Sequence, residues 1–197
     1  MKKIGIYGSI FVGDVKDKSI DYIAVDQGVM NLLNLNIKPI FVIGDLDSLE
    51  DKSVIEDFYI KVFPAIKDDT DTALALKEAI HQGYDTIDLY GVTHKRLDHF
   101  MAILCLLKKY ADVRITIYDE YNKIYLLKQG EHYIFKDEYT YFSLFAFQTT
   151  TISLKDCHYP LEHYVLTIDD PLCVSNQMNQ DKAYIQTNKD ILFIQSK

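Results

Sequence analysis

The stretch IGDLDS, residues 43–48, decides how the first half of this chain is read. It closes an apolar run at residues 40–43 whose β-branched and aromatic side chains are typical of a buried strand, so Gly44 falls where that strand turns. Asp45 and Asp47 follow the turn. Two buried carboxylates this close need a counterion, and hard oxygen ligands favour Mg²⁺ or Ca²⁺. The alternative is an acidic surface turn in which Asp and Gly supply only turn geometry.

Strand-like and helix-like segments alternate through about residue 118, which predicts a largely parallel sheet with flanking helices. Such sheets bind ligands beyond the carboxyl ends of their strands. The predicted strands cover residues 4–7, 22–25, 40–43, 60–63, 86–90 and 114–118. Residues 71–82 are predicted to form a helix that Gly83 stops. A second predicted helix, residues 97–110, repeats apolar residues at Leu97, Phe100, Met101, Leu104 and Leu107.

The residue pattern of the sequence changes after Asp119. Seven short runs rich in Tyr, Thr, Ile and Phe are separated by Gly, Asp, Asn and Lys clusters, and no long helical period is present. The runs are KIYLL, HYIF, YTYFSLFAF, TTTISL, HYVLTI, AYIQT and ILFIQ. They predict an all-β unit, sandwich-like or barrel-like. We therefore expect an α/β domain at residues 1–122 and a β domain at residues 123–197.

Composition excludes several classes of protein. A chain of 197 residues with 48% hydrophobic content can bury a core, and its formal net charge of −8 argues against sequence-independent binding of nucleic acid. Three widely spaced cysteines without a CxxC pair suggest neither a disulfide framework nor a zinc site, which fits a reducing cytoplasm. The glycines in the N-terminal apolar run argue against a signal peptide, and no stretch reaches the length of a membrane span. We expect a soluble protein that does not bind membranes.

Polar side chains follow several of the predicted parallel strands. Asp26 ends the run YIAVD, and the acidic pair at residues 45–47 ends the next strand. Arg96, Asp98 and His99 come shortly after the strand DLY, and the segment KDDTDTAL, residues 67–74, opens a helix whose free N–H groups favour anions. Because the carboxyl ends of parallel strands face one edge of the sheet, these clusters predict a functional site there.

Each cluster also has a purely structural interpretation. Asp69 or Thr70 serves only as a helix cap, or Asp98 only complements a helix N-terminus with Arg96 as its surface partner. His99, on an apolar helix, is in that case a packing residue. Four such coincidences at one sheet edge are harder to accept than any one of them.

At these residues the chain resembles the thiamine pyrophosphokinase family, especially its bacterial members. The matching blocks are VDQG (25–28), IGDLDS (43–48), KDDTDTALAL (67–76), GVTHKRLDH (91–99) and SNQ (175–177). Their order is that of the family, and together they form a specific signature. The chain departs from the family's pattern at Gln27, at Ala73 in place of an acidic residue, at His94 and Lys95 in place of two glycines, and at Gln177 in place of Glu.

The resemblance implies transfer of the pyrophosphoryl group of ATP to thiamine, giving thiamine diphosphate and AMP, in a homodimer with composite sites. We expect Asp45, Asp47 and Asp71 to surround Mg²⁺, directly or through water, and Arg96 to clamp phosphate. Asp98 is expected either to be linked to the metal or to support the groups that bind it. These five are the implied catalytic residues. The residues implied to bind ATP are Asp26, Gly28, Lys67, Asp68, Thr70 and His99. Those implied to bind thiamine are Ser175 and Asn176, which without the resemblance are equally well explained as a turn between strands.

The sequence is also compatible with three functions other than pyrophosphoryl transfer to thiamine. The acidic pair of GDLDS is similar to the nucleophile loop of phosphatases that form an aspartyl phosphate, although RLDH does not match their later motifs. A related pyrophosphokinase could use another alcohol, such as a pterin. The departures at Ala73, His94, Lys95 and Gln177 also suit a non-catalytic module that binds nucleotide or thiamine.

Overall fold

A computed structural model of the chain describes residues 1–44, 69–93 and 96–197, together with the backbone of residues 60–61. These residues fall into two compact units, Met1–Glu120 (unit 1) and Tyr121–Lys197 (unit 2). Within the described ranges, no helix is long and apolar enough to cross a membrane.

Unit 1 is built on a parallel sheet. Every strand pair in it is parallel, in the order β6-β5-β1-β2-β3-β4. The strands are β1 (Lys3–Tyr7), β2 (Asp21–Val25), β3 (Phe41–Ile43), β4 (Ile60–Lys61), β5 (Thr86–Tyr90) and β6 (Arg114–Tyr118). Residues of β1, β2, β3 and β5 are almost fully buried, as the unbroken apolar runs predict for a sheet covered on both faces.

Three helices accompany this sheet: α1 (Gly28–Asn34), α2 (Asp71–His81) and α3 (Leu97–Lys109). Helices α1 and α2 pack on β1 and β2. The two longer helices were predicted, and Gly83 has the positive φ of 81° expected of a helix stop. The short helix α1 was not predicted.

The buried face of α3 shares Leu107 with the predicted one but differs from it elsewhere. Ile103, Leu106 and Leu107 are buried, whereas Leu97 and Met101 are exposed. This helix is apolar around more than half of its circumference, so the sequence period alone could not select the face that packs.

Four tyrosines on the sheet of unit 1 hold the segment that connects β1 to β2. The rings of Tyr7 and Tyr90 stack with centroids 5.7 Å apart, and Tyr118 stacks on Tyr90 at 5.5 Å. Tyr90 Oη accepts the N–H of Lys16 at 3.1 Å, and Tyr22 Oη donates to the carbonyl of Asp17 at 2.6 Å.

Tyr7 adds two further bonds to the same segment. Its Oη accepts the N–H of Val12 and donates to the carbonyl of Gly13, each at 3.1 Å. Burial raises the pKa of Tyr7, Tyr22 and Tyr90, so their hydroxyls keep their protons at neutral pH. The β1–β2 connection is therefore fixed to the sheet by hydroxyl contacts as well as by apolar packing.

Unit 2 consists of two antiparallel sheets, in the orders β7-β14-β9-β12 and β11-β10-β13-β8. One apolar core draws residues from both sheets, among them Phe142 and Phe193 from the first and Leu154 and Ile185 from the second. The strands are β7 (Asn122–Leu127), β8 (Gly130–Phe135), β9 (Tyr141–Ala146), β10 (Thr150–Lys155), β11 (Leu161–Leu166), β12 (Asn176–Gln177), β13 (Lys182–Thr187) and β14 (Ile191–Ser196).

This arrangement confirms the predicted fold class, an α/β unit followed by a β-sandwich. Each of the seven apolar runs after Asp119 contains most of a strand. The two-residue strand β12 was not predicted, because two residues show no alternation.

We predict that Tyr90→Phe lowers the free energy of unfolding by about 1–2 kcal/mol. The ring and its stacking are kept, but the acceptor for the Lys16 N–H is lost. Urea denaturation followed by circular dichroism measures the change. Tyr133→Phe is the control, because Tyr133 is 55% exposed on β8. An unchanged free energy of unfolding in Tyr90→Phe would show that the buried hydroxyl contributes nothing, and an equal loss in Tyr133→Phe would show that its burial adds nothing.

Candidate functional site

The carboxyl ends of β1, β2, β3 and β5 lie along one edge of the unit 1 sheet, because all of these strands are parallel. The chain runs from β1 outward to β4 and then returns to β5 on the other side of β1, so the topological switch point lies between β1 and β5. Ligands of open α/β sheets bind outside the carboxyl ends at such a point. The sheet therefore places the candidate site at this edge.

Glycines end the two strands at the switch point. Gly8 N–H donates to the carbonyl of Tyr90 at 2.7 Å, and Ile10 N–H donates to that of Gly91 at 3.2 Å. A Cβ on Gly91 would collide with the carbonyl oxygen of Ile10, and its φ is 66°. The β1–β2 connection thus lies directly against Gly91, the residue that follows β5.

Asp26 lies beside the start of the IGDLDS stretch. It has a φ of 51°, and its N–H donates to the carbonyl of Ile43 at 2.9 Å. A Cβ on Gly44 would collide with Oδ1 of Asp26. Similarly, a Cβ on Gly28 would collide with the carbonyl oxygen of Tyr7. Gly44 is required where the β2 and β3 ends approach each other, and Gly28 is required where the start of α1 approaches the end of β1.

Several predicted site residues lie outside the described residues. They are Asp45, Asp47, Lys67 and Asp68, together with the departures His94 and Lys95. Of the three predicted metal ligands, the structure describes only Asp71. In the described parts of the chain, no group of three or more His, Cys, Asp or Glu side chains could hold a metal ion.

The start of α2 presents Asp71 on a capped helix. Thr70 Oγ1 accepts the N–H of Ala73 at 3.2 Å, so Thr70 is the helix cap. Asp69 forms an ion pair with Lys77, which lowers the pKa of the Asp69 carboxyl. The cap fixes the first helical turn, in which Asp71 is the acidic residue.

Arg96 and Asp98 form an exposed bidentate pair at the start of α3. Arg96 Nε and Nη2 lie 3.2 and 2.5 Å from the two carboxylate oxygens of Asp98. This contact holds the pKa of Asp98 at about 2. His99 is exposed and not a packing residue, so the positive and negative groups of RLDH all face solvent.

Ser175 and Asn176 differ sharply in their surroundings. Ser175 is exposed with a φ of 57°, and its N–H donates to Ser143 Oγ at 3.0 Å. Asn176 is buried. Its Nδ2 donates to the carbonyl of Tyr159 at 2.9 Å and to Cys157 Sγ at 3.5 Å, while Oδ1 accepts the N–H groups of Tyr159 and Gln177 at 3.1 and 2.9 Å. The amide of Asn176 is fully engaged within unit 2.

Sequence reasoning missed two features of these sites. The approach of Gly8 to Gly91 was signalled only by a glycine directly after each strand run, YG in both cases. The link from Asn176 to Tyr159 had no signal, since 17 positions separate the two residues. Only folding of the sandwich brings them together.

The fold places the chain among proteins that join a parallel α/β sheet to a β-sandwich in one polypeptide. The pattern described as the catalytic domain of thiamin pyrophosphokinase matches residues 13–118, and that of the vitamin B1 binding domain matches residues 131–192. The chain belongs to the thiamine pyrophosphokinase family.

Relatives of the chain extend over nearly its whole length. It is 33% identical to a thiamine pyrophosphokinase of Bacillus subtilis (strain 168) over 187 residues, covering 90% of this chain and 87% of the relative. A crystal structure of thiamine pyrophosphokinase from Bacillus subtilis has a TM-score of 0.90 at 29% identity, covering 100% of this chain and 99% of that one. A crystal structure from Geobacillus thermodenitrificans has a TM-score of 0.86 at 30% identity, covering 99% and 97%.

We predict that Arg96→Gln raises the pKa of Asp98 from about 2 toward its ordinary value, because the guanidinium is the main cause of the depression. Since the folded pKa is lowered, the stabilisation from this pair is present above the ordinary pKa of the carboxyl and is lost as the pH falls through the folded pKa. Carbon-detected NMR titration of the Asp98 carboxyl measures the shift. Lys123→Gln, which removes a cation paired with Asp137, should leave the titration of Asp98 unchanged.

Proposed function

We propose that this chain is a thiamine diphosphokinase that transfers the pyrophosphoryl group of ATP to the hydroxyethyl oxygen of thiamine. The observation that carries the proposal is the match of both family domains to one chain, in the order of its α/β and β-sandwich units. A pterin alcohol as acceptor, an aspartyl phosphate mechanism and a non-catalytic role have no comparable support.

The proposed chemistry is a single displacement. The hydroxyethyl oxygen of thiamine forms a bond to the β-phosphorus of ATP, the bond from that phosphorus to the bridging oxygen of the α-phosphate breaks, and AMP leaves. The hydroxyl proton passes to a carboxylate at the sheet edge. Such transfers depend mainly on positioning and on neutralising charge.

The residues of unit 1 would bind the nucleotide. Asp45, Asp47 and Asp71 would hold Mg²⁺, and their hard carboxylate oxygens fit that ion. When bound, Mg²⁺ neutralises charge on the phosphate oxygens. Arg96 would clamp a phosphate bidentately, the geometry that it already adopts with Asp98. The other proposed ATP-binding residues are Asp26, Gly28, Lys67, Asp68, Thr70 and His99.

Two of these residues would act through the backbone or through a neighbour. Gly28 allows the close approach of the chain to Tyr7, and Thr70 caps the helix that presents Asp71. Asp98 would hold the guanidinium of Arg96 in place until phosphate binds, because the two side chains form an ion pair. Both side chains are exposed, so phosphate can reach Arg96.

Unit 2 would bind thiamine, with the exposed hydroxyl of Ser175 as a contact. The amide of Asn176 has no free donor or acceptor, so we revise its predicted role from direct contact to positioning of its neighbours. We further propose that the protein works as a homodimer in the cytoplasm. The three cysteines form no disulfide, which suits a reducing compartment.

We predict that the protein with ATP, Mg²⁺ and thiamine releases AMP and thiamine diphosphate in equal amounts, and that Asp71→Asn lowers kcat at least about a hundredfold. Loss of a ligand charge at constant size is the physical cause. Chromatography of nucleotides and thiamine esters measures both products, with a pterin alcohol tested in parallel.

The control for this assay is Asp112→Asn. Asp112 is exposed and precedes β6, at the amino end of the parallel strands. It should turn over at the rate of the unmodified protein. Release of inorganic phosphate without AMP, or normal turnover in Asp71→Asn, would contradict the proposal.

We predict a particle of about twice the chain mass of 22.9 kDa in sedimentation equilibrium, as expected of a homodimer. A single species at the chain mass at micromolar concentration would rule out a stable dimer.

A further inference from the structure

The first part of the β1–β2 connection, residues 8–12, lies against two of the family's motif blocks. A Cβ on Gly28, in the block VDQG, would lie 3.0 Å from the carbonyl oxygen of Gly8. Ile10 N–H donates at 3.2 Å to the carbonyl of Gly91, which opens the block GVTHKRLDH. The segment itself belongs to none of the blocks, and it precedes the matched catalytic pattern, which begins at residue 13. The family motifs therefore assign it no function.

Hydrogen bonds fix the backbone of this segment on both sides of Phe11. Before it, Ile10 is held by its bond to the turn after β5. After it, the hydroxyl of Tyr7 accepts the N–H of Val12 and donates to the carbonyl of Gly13. Tyr7 is fully buried, and burial raises the pKa of its hydroxyl, so this donor keeps its proton at neutral pH. The position of Phe11 thus depends on a buried side chain of the sheet.

The side chains of this segment alternate between the protein and solvent. Ile10 and Val12 are half-buried, whereas Ser9 and Phe11 are exposed, and the exposed fraction of Phe11 is 57%. A single exposed apolar residue is ordinary on a protein surface, but this one follows the end of β1 at the switch point of the sheet. A ring on a fixed backbone loses little conformational entropy on binding, which suits it to contact a flat ligand.

We propose that the ring of Phe11 packs against the adenine ring of ATP, and that Tyr7 is the positioning residue that holds Phe11 there. The proposal rests on the proposed function, which supplies ATP as the ligand. An aromatic side chain stacks on a nucleobase through its π-face and needs no hydrogen bond from it. Phe11 would therefore strengthen binding of the base and leave the phosphates to other residues of unit 1.

Kinetics with fragments of ATP test the contact. Phe11→Ala should raise KM for ATP about tenfold and leave KM for thiamine unchanged, and Phe11→Tyr should retain most of the affinity because it keeps a ring. The inhibition constant of AMP, which contains the base, should rise by a similar factor. That of inorganic tripolyphosphate, which lacks the base, should not change. An equal loss for AMP and tripolyphosphate would overturn the contact with the base.

The absence of tryptophan from the chain permits a direct measurement of binding. Phe11→Trp introduces a single tryptophan at the proposed contact, and Tyr133→Trp introduces one on the exposed edge strand β8 of unit 2. AMP should quench the emission of Phe11→Trp saturably, whereas tripolyphosphate should not. The emission of Tyr133→Trp should be unchanged by AMP after correction for absorbance.

Tyr7→Phe tests the positioning role, because it keeps the ring that stacks on Tyr90 and removes the hydroxyl. It should raise KM for ATP by less than Phe11→Ala does, and in the Phe11→Ala background it should raise KM no further. Tyr22→Phe is the matched control, since it removes a buried hydroxyl that bonds to the carbonyl of Asp17. A purely structural role for Tyr7 would lower the temperature of unfolding in both tyrosine variants without changing KM for ATP.

The outcomes separate this inference from the proposed function. Unchanged emission of Phe11→Trp on addition of AMP, in a variant that still makes thiamine diphosphate, would overturn the contact. An unchanged KM for ATP in Phe11→Ala would also overturn it. If the unmodified protein makes no thiamine diphosphate, the proposed function fails. The emission titration with AMP still decides in that case whether adenine lies against Phe11.

Discussion

The parallel pairing of β1 with both β2 and β5 is the constraint on which unit 1 depends. Because the central strand runs in the same direction as its neighbours, every turn that follows a strand falls at one edge of the sheet. The five matching motif blocks of the family are dispersed over the sequence, and the blocks of unit 1 follow or open elements at that edge. A change in the direction of one strand would separate the residues that the proposed reaction requires.

The ends of neighbouring strands approach each other closely at this edge of the sheet. At the β2 and β3 ends, Asp26 occupies the space that a side chain on Gly44 would need. A positive φ at a residue other than glycine costs about 1–2 kcal/mol, so Asp26 keeps its conformation only because the surrounding contacts offset that cost. The tyrosine hydroxyls that hold the β1–β2 connection act at the neighbouring strand ends, where Ile10 contacts Gly91. Backbone and side-chain contacts together fix the frame of the proposed nucleotide site.

In unit 2 the buried side-chain amide of Asn176 fixes the backbone of a turn. An unsatisfied amide in an apolar core is costly, and Asn176 avoids that cost by pairing with the backbone of Tyr159. The pairing makes the position of an exposed turn depend on a buried residue. Cys157 and Cys173 lie in the same core, where burial raises the pKa of both thiols, that of Cys173 to about 11. These thiols are protonated at neutral pH, which suits a packing role.

The sequence by itself determined the fold class, the strands of both units except β12, and the two longer helices. These features depend on the local periodicity of apolar residues and on residues such as glycine that end an element. It also identified the family, since its motif blocks keep their order along the chain. Tertiary structure alone decided which face of α3 is buried, because Leu97 and Met101 are as apolar as the residues that pack. It likewise decided that Asn176 turns inward to Tyr159 while Ser175 faces solvent. Contacts between residues distant in sequence select among side chains that local pattern cannot distinguish.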